Sequence, residues 1–120
     1  AKVDLSAGVE VVQGDLLDVD SLRAAMSGVS TLFLLNGVVA DEFTQALITL
    51  NVAREAGIER IVYLSVIHSD VYVDVPHFAG KFGVERMIEA LSLDRARNAI
   101  RKLMDLAPET ALVRQLACPE

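Results

Sequence analysis

Apolar residues along this chain alternate between short continuous runs and runs spaced three and four apart, the pattern of strands interleaved with helices. Ile61, Val62, Tyr63 and Leu64 make a β-rich run that reads as a strand buried on both faces, and it stops at Ser65 where polar residues begin. Upstream, the run within Ser30 to Leu35 is almost wholly apolar and reads as a central strand ending at Asn36 and Gly37. Val9 to Val12 reads as a further short strand, followed at once by Gly14 and Asp15. Helical spacing runs from about Asp20 to Met26, with Leu22, Ala25 and Met26 inward and Gly28 as the stop. A second helix is predicted from Asp41 to Ala56, with Asp41 as N-cap, Phe43, Ala46, Leu47, Leu50 and Ala53 on one stripe, and Gly57 ending it. After a loop closed by Pro76, a helix from His77 or Phe78 to Leu91 places Val84, Met87, Ile88 and Leu91 on one face. Ala96, Ala99, Ile100, Leu103 and Met104 predict another helix from Asp94 to Leu106, with Pro108 marking its end. Ala1 to Ala7 reads as the end of a helix capped by Gly8, and Thr110 to Leu116 as a final strand.

Strands separated by helices of this length predict an α/β fold with a small parallel sheet, and such sheets bind ligands beyond the carboxyl ends of their strands. The residues at those ends are therefore the first candidates for chemistry. Ser65 follows one strand, Asn36 and Gly37 another, and Asp15 a third. His77 and Lys81, four residues apart, share a helical face near the start of their helix. Each has a plainer reading beside the functional one. Asp15 or Asp18 can cap the next helix, Asn-Gly is favoured in ordinary turns, and His77 can serve only to start its helix. The helix from Asp41 is read as core packing alone, and Tyr63 and Tyr72 as packing residues.

Composition narrows the partners. A hydrophobic content of 52% with 23% charged residues describes a folded globular chain, and 120 residues suffice for one domain. The net charge of -6 argues against nucleic acid or an acidic membrane surface. The single cysteine, Cys118, has no internal disulfide partner, and with His68 and His77 it makes no zinc spacing, so no metal is expected and a reducing, cytoplasmic setting fits. No apolar run approaches membrane-spanning length, and the start lacks the regions of a signal peptide. A chain that begins with Ala1 reads as a fragment or a processed product. Arg95, Arg97, Arg101 and Lys102 read as a solvated helix face.

Three segments, Gly8 to Leu35, Asn51 to Ser65, and Pro76 to Ile88 with its PHFAGKFGVERMI sequence, together resemble the NmrA-like branch of the atypical short-chain dehydrogenase/reductase superfamily. The likeness covers residues 1 to about 93. It implies a Rossmann-like domain for NAD(P) over residues 1–93, and a divergent helix and strand over 94–120. In the family the aspartate corresponding to Asp15 lies near the adenine, the loop at Asn36 and Gly37 passes near the ribose and nicotinamide, and the residue after the strand, here Ser65, borders the same site. Typical superfamily members carry a tyrosine proton donor four residues before a lysine that holds the nicotinamide ribose. Here the pair is His77 and Lys81, the candidate catalytic residues, with Lys81 also a cofactor contact. Within the off-family tail, residues 96–114 (ARNAIRKLMDLAPETALVR) are similar to a cytosolic segment of heavy-metal P-type ATPases, but the chain has no phosphorylated-aspartate motif and no intramembrane Cys-Pro-Cys.

The glycine-rich turn that such a site needs between its first strand and first helix is absent from these residues. Gly80 and Gly83, the one close pair, fall in or beside a helix. By family order the first βαβ unit is missing, which predicts an incomplete Rossmann-like three-layer fold. Its remaining strands are expected to close into a sheet with Val9 to Val12 beside Ser30 to Leu35. Failing that, a homo-oligomeric copy or a partner chain would cover the open edge. The resemblance implies a dinucleotide-binding domain of redox-sensing or regulatory type, impaired in cofactor binding. The alternatives are an NAD(P)H-dependent quinone or carbonyl reductase and a truncated or recombined domain without activity.

Overall fold

The computed structural model describes residues 8–105. The expected helix end before Gly8, the strand from Thr110 to Leu116, Pro108 and Cys118 lie outside the described residues. Two compact units divide the chain, Ala1–Glu89 and Ala90–Glu120. The described elements run α1 (Val19–Ala25), β1 (Thr31–Leu34), α2 (Glu42–Glu55), β2 (Arg60–Tyr63) and α3 (Pro76–Asp105). The class is α/β as the sequence predicts, with β1 and β2 forming a parallel two-stranded sheet in the register Thr31 to Arg60 through Leu34 to Tyr63.

Helix α1 begins where the Asp18 side chain accepts a hydrogen bond from Asp20 N, so Asp18 and not Asp15 is its cap. Helix α2 follows Asp41, whose carboxylate accepts from the Gln45 side chain instead of capping a backbone amide. Its carboxyl end closes sharply. Gly57 adopts φ 75, its N–H donates to Arg54 O at 3.2 Å, and the Ile58 N–H donates to Ala53 O at 2.9 Å. This pair of bonds is the Schellman arrangement that satisfies the last helical carbonyls and turns the chain back. Ile58, fully buried, then drops into the core just ahead of β2.

The core lies between the two short helices and one face of the sheet. Leu22 and Met26 of the α1 region meet Val52 and Ala53 of α2 and Ile58, with Leu32 and Ile61 of the paired strands packed against them. Because paired residues of a parallel ladder share a face, Leu32, Leu34, Ile61 and Tyr63 point toward the helices. Phe33, Leu35, Val62 and Leu64 fall on the other side, and each is at least half exposed.

The structure departs from the sequence pattern at several points. Val9 to Val12 forms no strand and does not pair with β1, so the expected closure of the sheet through that segment does not occur among the described residues. Val9, Val11 and Val12 are all exposed, and a β-branched run without a ladder partner gains neither backbone bonds nor burial. The strands are covered on one face only, not both, since all the helical packing described falls on the Leu32 and Ile61 side. Ala25 and Phe43 are exposed and not inward. Phe43 instead lays its ring toward α3, where a Cβ added to Gly83 would come within 2.8 Å of it. Gly83 thus permits a close approach that any larger residue would push apart. No break separates the two helices expected after Pro76, because Ser92, Leu93 and Asp94 include neither glycine nor proline and α3 continues to Asp105. Arg95, Arg97, Arg101 and Lys102 are exposed on it, with Arg97 paired to Asp94 at 3.8 Å. Among the described residues no helix is long and apolar enough to cross a membrane.

The one-sided core gives a contrast that unfolding measurements can check. Leu50 is wholly buried and Phe33 is 61% exposed. In urea unfolding followed by circular dichroism, Leu50→Ala is expected to cost about 2–5 kcal/mol. Phe33→Ser should stay within about 0.5 kcal/mol.

Candidate functional site

The inward positions of both strands change character at their carboxyl ends. Along one strand the inward series runs Leu32, Leu34, Asn36, and along the other Ile61, Tyr63, Ser65. Period-two alternation therefore carries an apolar face directly into a polar corner. The amino end of α2 and the first turns of α3 meet there, and the residue that joins them is Glu42.

Glu42 is 8% exposed. Its Oε1 is hydrogen-bonded to His77 Nδ1, and its Oε2 lies 3.9 Å from Lys81 Nζ in an ion pair whose side chains are 5% and 10% exposed. The helical spacing of His77 and Lys81 thus does put both on one face, and that face is directed at a single carboxylate. As the first residue of α2, Glu42 also sits where the helix dipole favours negative charge. Asn36 ties the end of the first strand to the same place, its Nδ2 donating to Glu42 O at 3.1 Å. Asn36 is buried, and the Asn-Gly pair makes no left-handed turn. Two buried acceptors, Asn36 Oδ1 and Glu42 Oε2, have no hydrogen-bond partner among the described residues.

Tyr63 floors the corner, with Lys81 Nζ 5.0 Å from its ring centroid in a cation–π contact. Burial pushes its phenol up to about 12, and the nearby Glu42 and Glu85 carboxylates add to the effect. Glu85, one turn after Lys81, accepts hydrogen bonds from Ser65 Oγ on Oε1 and from Ser69 Oγ on Oε2, the latter at 2.9 Å. The loop that follows β2 is thereby strapped to α3.

Of the residues predicted for a site, Asn36, Ser65, His77 and Lys81 are brought together. Asp15 and Gly37 are not in this cluster. Asp15 is exposed beside Gln13, Gly14, Ser21 and Gln45 in a separate depression, where its carboxylate accepts from Leu17 N at 2.9 Å. Gly37 is exposed with open space around it. Sequence reasoning missed Glu42 and Glu85 and took Tyr63 for packing alone. The signal for Glu85 was its four-residue spacing from Lys81. Glu42 had none beyond its first-turn position, which any helix accepts. His77 also lines a shallow depression with Glu42, Val39, Pro76 and Gly80. Among the described residues no group of three or more histidine, cysteine, aspartate or glutamate side chains is arranged to hold a metal ion.

The fold that carries this polar corner has counterparts among known proteins. The NmrA-like family model matches residues 1–97. The chain belongs to the NmrA-like family. A crystal structure of triphenylmethane reductase from Citrobacter sp., complexed with NADP(H), matches at a TM-score of 0.63 and 29% identity, over 69% of this chain and 30% of that one. The partial Rossmann-like fold read from the sequence is supported by that match. A probable cadmium-transporting ATPase of Staphylococcus aureus is 53% identical over 34 residues, which amount to 28% of this chain and 4% of that protein. The chain therefore spans under a third of the reductase and a small part of the ATPase.

Tyr63 offers a direct check of the corner's electrostatics. In a Tyr72→Phe background, spectrophotometric titration of the folded chain should show the remaining tyrosine ionising near 12 and not at the ordinary 10.0. Between those two values the folded state holds a proton that the unfolded state has lost, so Tyr63's contribution is complete below pH 10.0 and disappears as pH rises toward 12. Tyr63→Phe should remove that part of the alkaline loss.

Proposed function

We propose that this NmrA-like domain receives NAD(P) at the carboxyl ends of β1 and β2 and acts in redox sensing or regulation. The observation that carries this reading is the setting of Lys81, a buried ammonium held beside Glu42 and over Tyr63, where a ribose diol could meet it. Asn36 Oδ1 and Glu42 Oε2, buried acceptors without hydrogen-bond partners among the described residues, suit hydroxyl donors. These residues fit the nicotinamide-ribose end of a dinucleotide. Asp15, in its separate depression, is assigned to the adenine side, with Gly37 and Ser65 bordering the path between. The pyrophosphate end fits less well. Among the described residues no glycine-rich turn joins a strand to a helix, so no row of backbone N–H groups is aimed at a phosphate. Weakened cofactor binding by these 120 residues is part of the proposal. So is a second copy or partner chain over the open sheet, whose exposed apolar side chains gain by being covered.

A second reading, a reductase of quinones or carbonyls, is favoured by the Glu42–His77 pair, which gives the residue in the tyrosine's place a means of proton exchange. A bound reduced dinucleotide would supply hydride there. Lys81 would orient the ribose and His77 would hold the proton.

Calorimetric titration with NADPH, NADP, NADH and NAD separates these readings. Binding between about 1 μM and 1 mM, or about 8 to 4 kcal/mol, is expected for the wild type. A loss of about tenfold or more in Lys81→Met, which keeps the buried stem, would tie the site to the ammonium. Absence of heat from a folded sample would leave a domain without this activity. Oxidation of NADPH by an added quinone would move the assignment to the reductase.

A further inference from the structure

We infer that Glu42 is a positioning residue, fixing His77 in its Nδ1–H form so that Nε2 is the nitrogen that exchanges a proton with whatever occupies the adjoining depression. This rests on the reductase reading above, in which His77 holds the proton. The geometry behind it is local. A carboxylate only accepts hydrogen bonds, so the contact between Glu42 Oε1 and His77 Nδ1 requires the proton on Nδ1. In a neutral imidazole the other nitrogen is then an acceptor, and in the imidazolium it is the transferable donor.

Glu42 is well held for the task. Its backbone carbonyl accepts from Asn36, its side chain is 10% exposed, and Lys81 flanks its second oxygen. His77, less enclosed at 24%, is packed edge-on to Phe78 with ring centroids 5.9 Å apart and lines the depression with Val39, Pro76 and Gly80. One nitrogen is thus committed to a fixed anion, and the ring borders a space large enough for a ligand group. In the proton half of a carbonyl reduction, the imidazolium gives its Nε2 proton to the substrate oxygen. It becomes the neutral Nδ1–H imidazole, still bonded to Glu42, and water restores the proton. Glu42 keeps the ring from turning, the division of labour between carboxylate and histidine that other acid–base pairs use.

The test reads the ring nitrogens of His77 by long-range proton–nitrogen NMR in the ligand-free chain. His68, the other histidine, sits at φ 57 and is replaced by Asn, which tolerates that backbone. Neutral His77 is expected as the Nδ1–H tautomer. Glu42→Ala should lose that pattern in favour of Nε2–H, and Glu42→Gln, which keeps an acceptor oxygen in place, should restore it at least in part. An Nε2–H tautomer in the Glu42 chain overturns the inference, as do unchanged ring shifts in a folded Glu42→Ala chain. The Glu42 chain alone decides the point if Glu42→Ala fails to fold. No dinucleotide enters this measurement. An Nδ1–H tautomer with no calorimetric heat would therefore sink the cofactor reading and leave the positioning role, whereas cofactor binding with an Nε2–H tautomer would do the reverse.

Discussion

A buried carboxylate must be compensated, and the polar half of this domain is arranged to compensate Glu42. Removing a charge from water costs several kcal/mol unless partners replace the lost solvation. Here the partners arrive from one element, since α3 brings both His77 and Lys81 to the two oxygens. The same demand fixes the angle at which α3 begins, because two contacts four residues apart leave a helix little freedom to roll. Glu85 repeats the device one turn later, binding two serine hydroxyls of the loop that leads into the helix. Stability and site are therefore one network. A substitution that empties it exposes an unpaired charge before it removes any chemistry.

Much of the fold was legible because its signals are local. The run Ile61 to Tyr63 marks a strand whatever its surroundings, and Gly57 after an amphipathic stretch marks a helix end through the left-handed geometry that it alone adopts cheaply. What failed depends on partners that local patterning does not contain. Val9 to Val12 has the composition of a strand but no ladder to join. Phe33 and Val62 look like the core of a sheet covered on both faces, yet only the side facing α1 and α2 is filled. A hydrophobic run records what a strand was suited to meet, and the described structure records what it meets.

The site divides along the same line. His77 and Lys81 were recognisable as a pair, since helical spacing is a property of one segment. Glu42 lies 35 residues from His77, and no periodicity connects them. It reads as an ordinary first-turn acid because the dipole of any helix welcomes one. Asn36 was singled out as a strand-end contact candidate, with an ordinary Asn-Gly turn as its plainer reading, and the turn is not made. Its burial and its bond to Glu42 arise from the strand's alternation continuing two residues past the ladder, a continuation that becomes visible only once the sheet face is assigned.

The Schellman turn at Gly57 has a reach beyond the helix that it closes. It delivers Ile58 to the core and so sets the phase in which the next residues enter the ladder, with Ile61 and Tyr63 inward. Side chains in a strand alternate strictly, so one residue inserted between Gly57 and Arg60 would exchange the two sets. Tyr63 and Ser65 would turn outward, leaving Lys81 without its ring and Glu85 without one of its two serine hydroxyls. The turn acts as a clock for the strand, and the chemistry at the far end keeps its time.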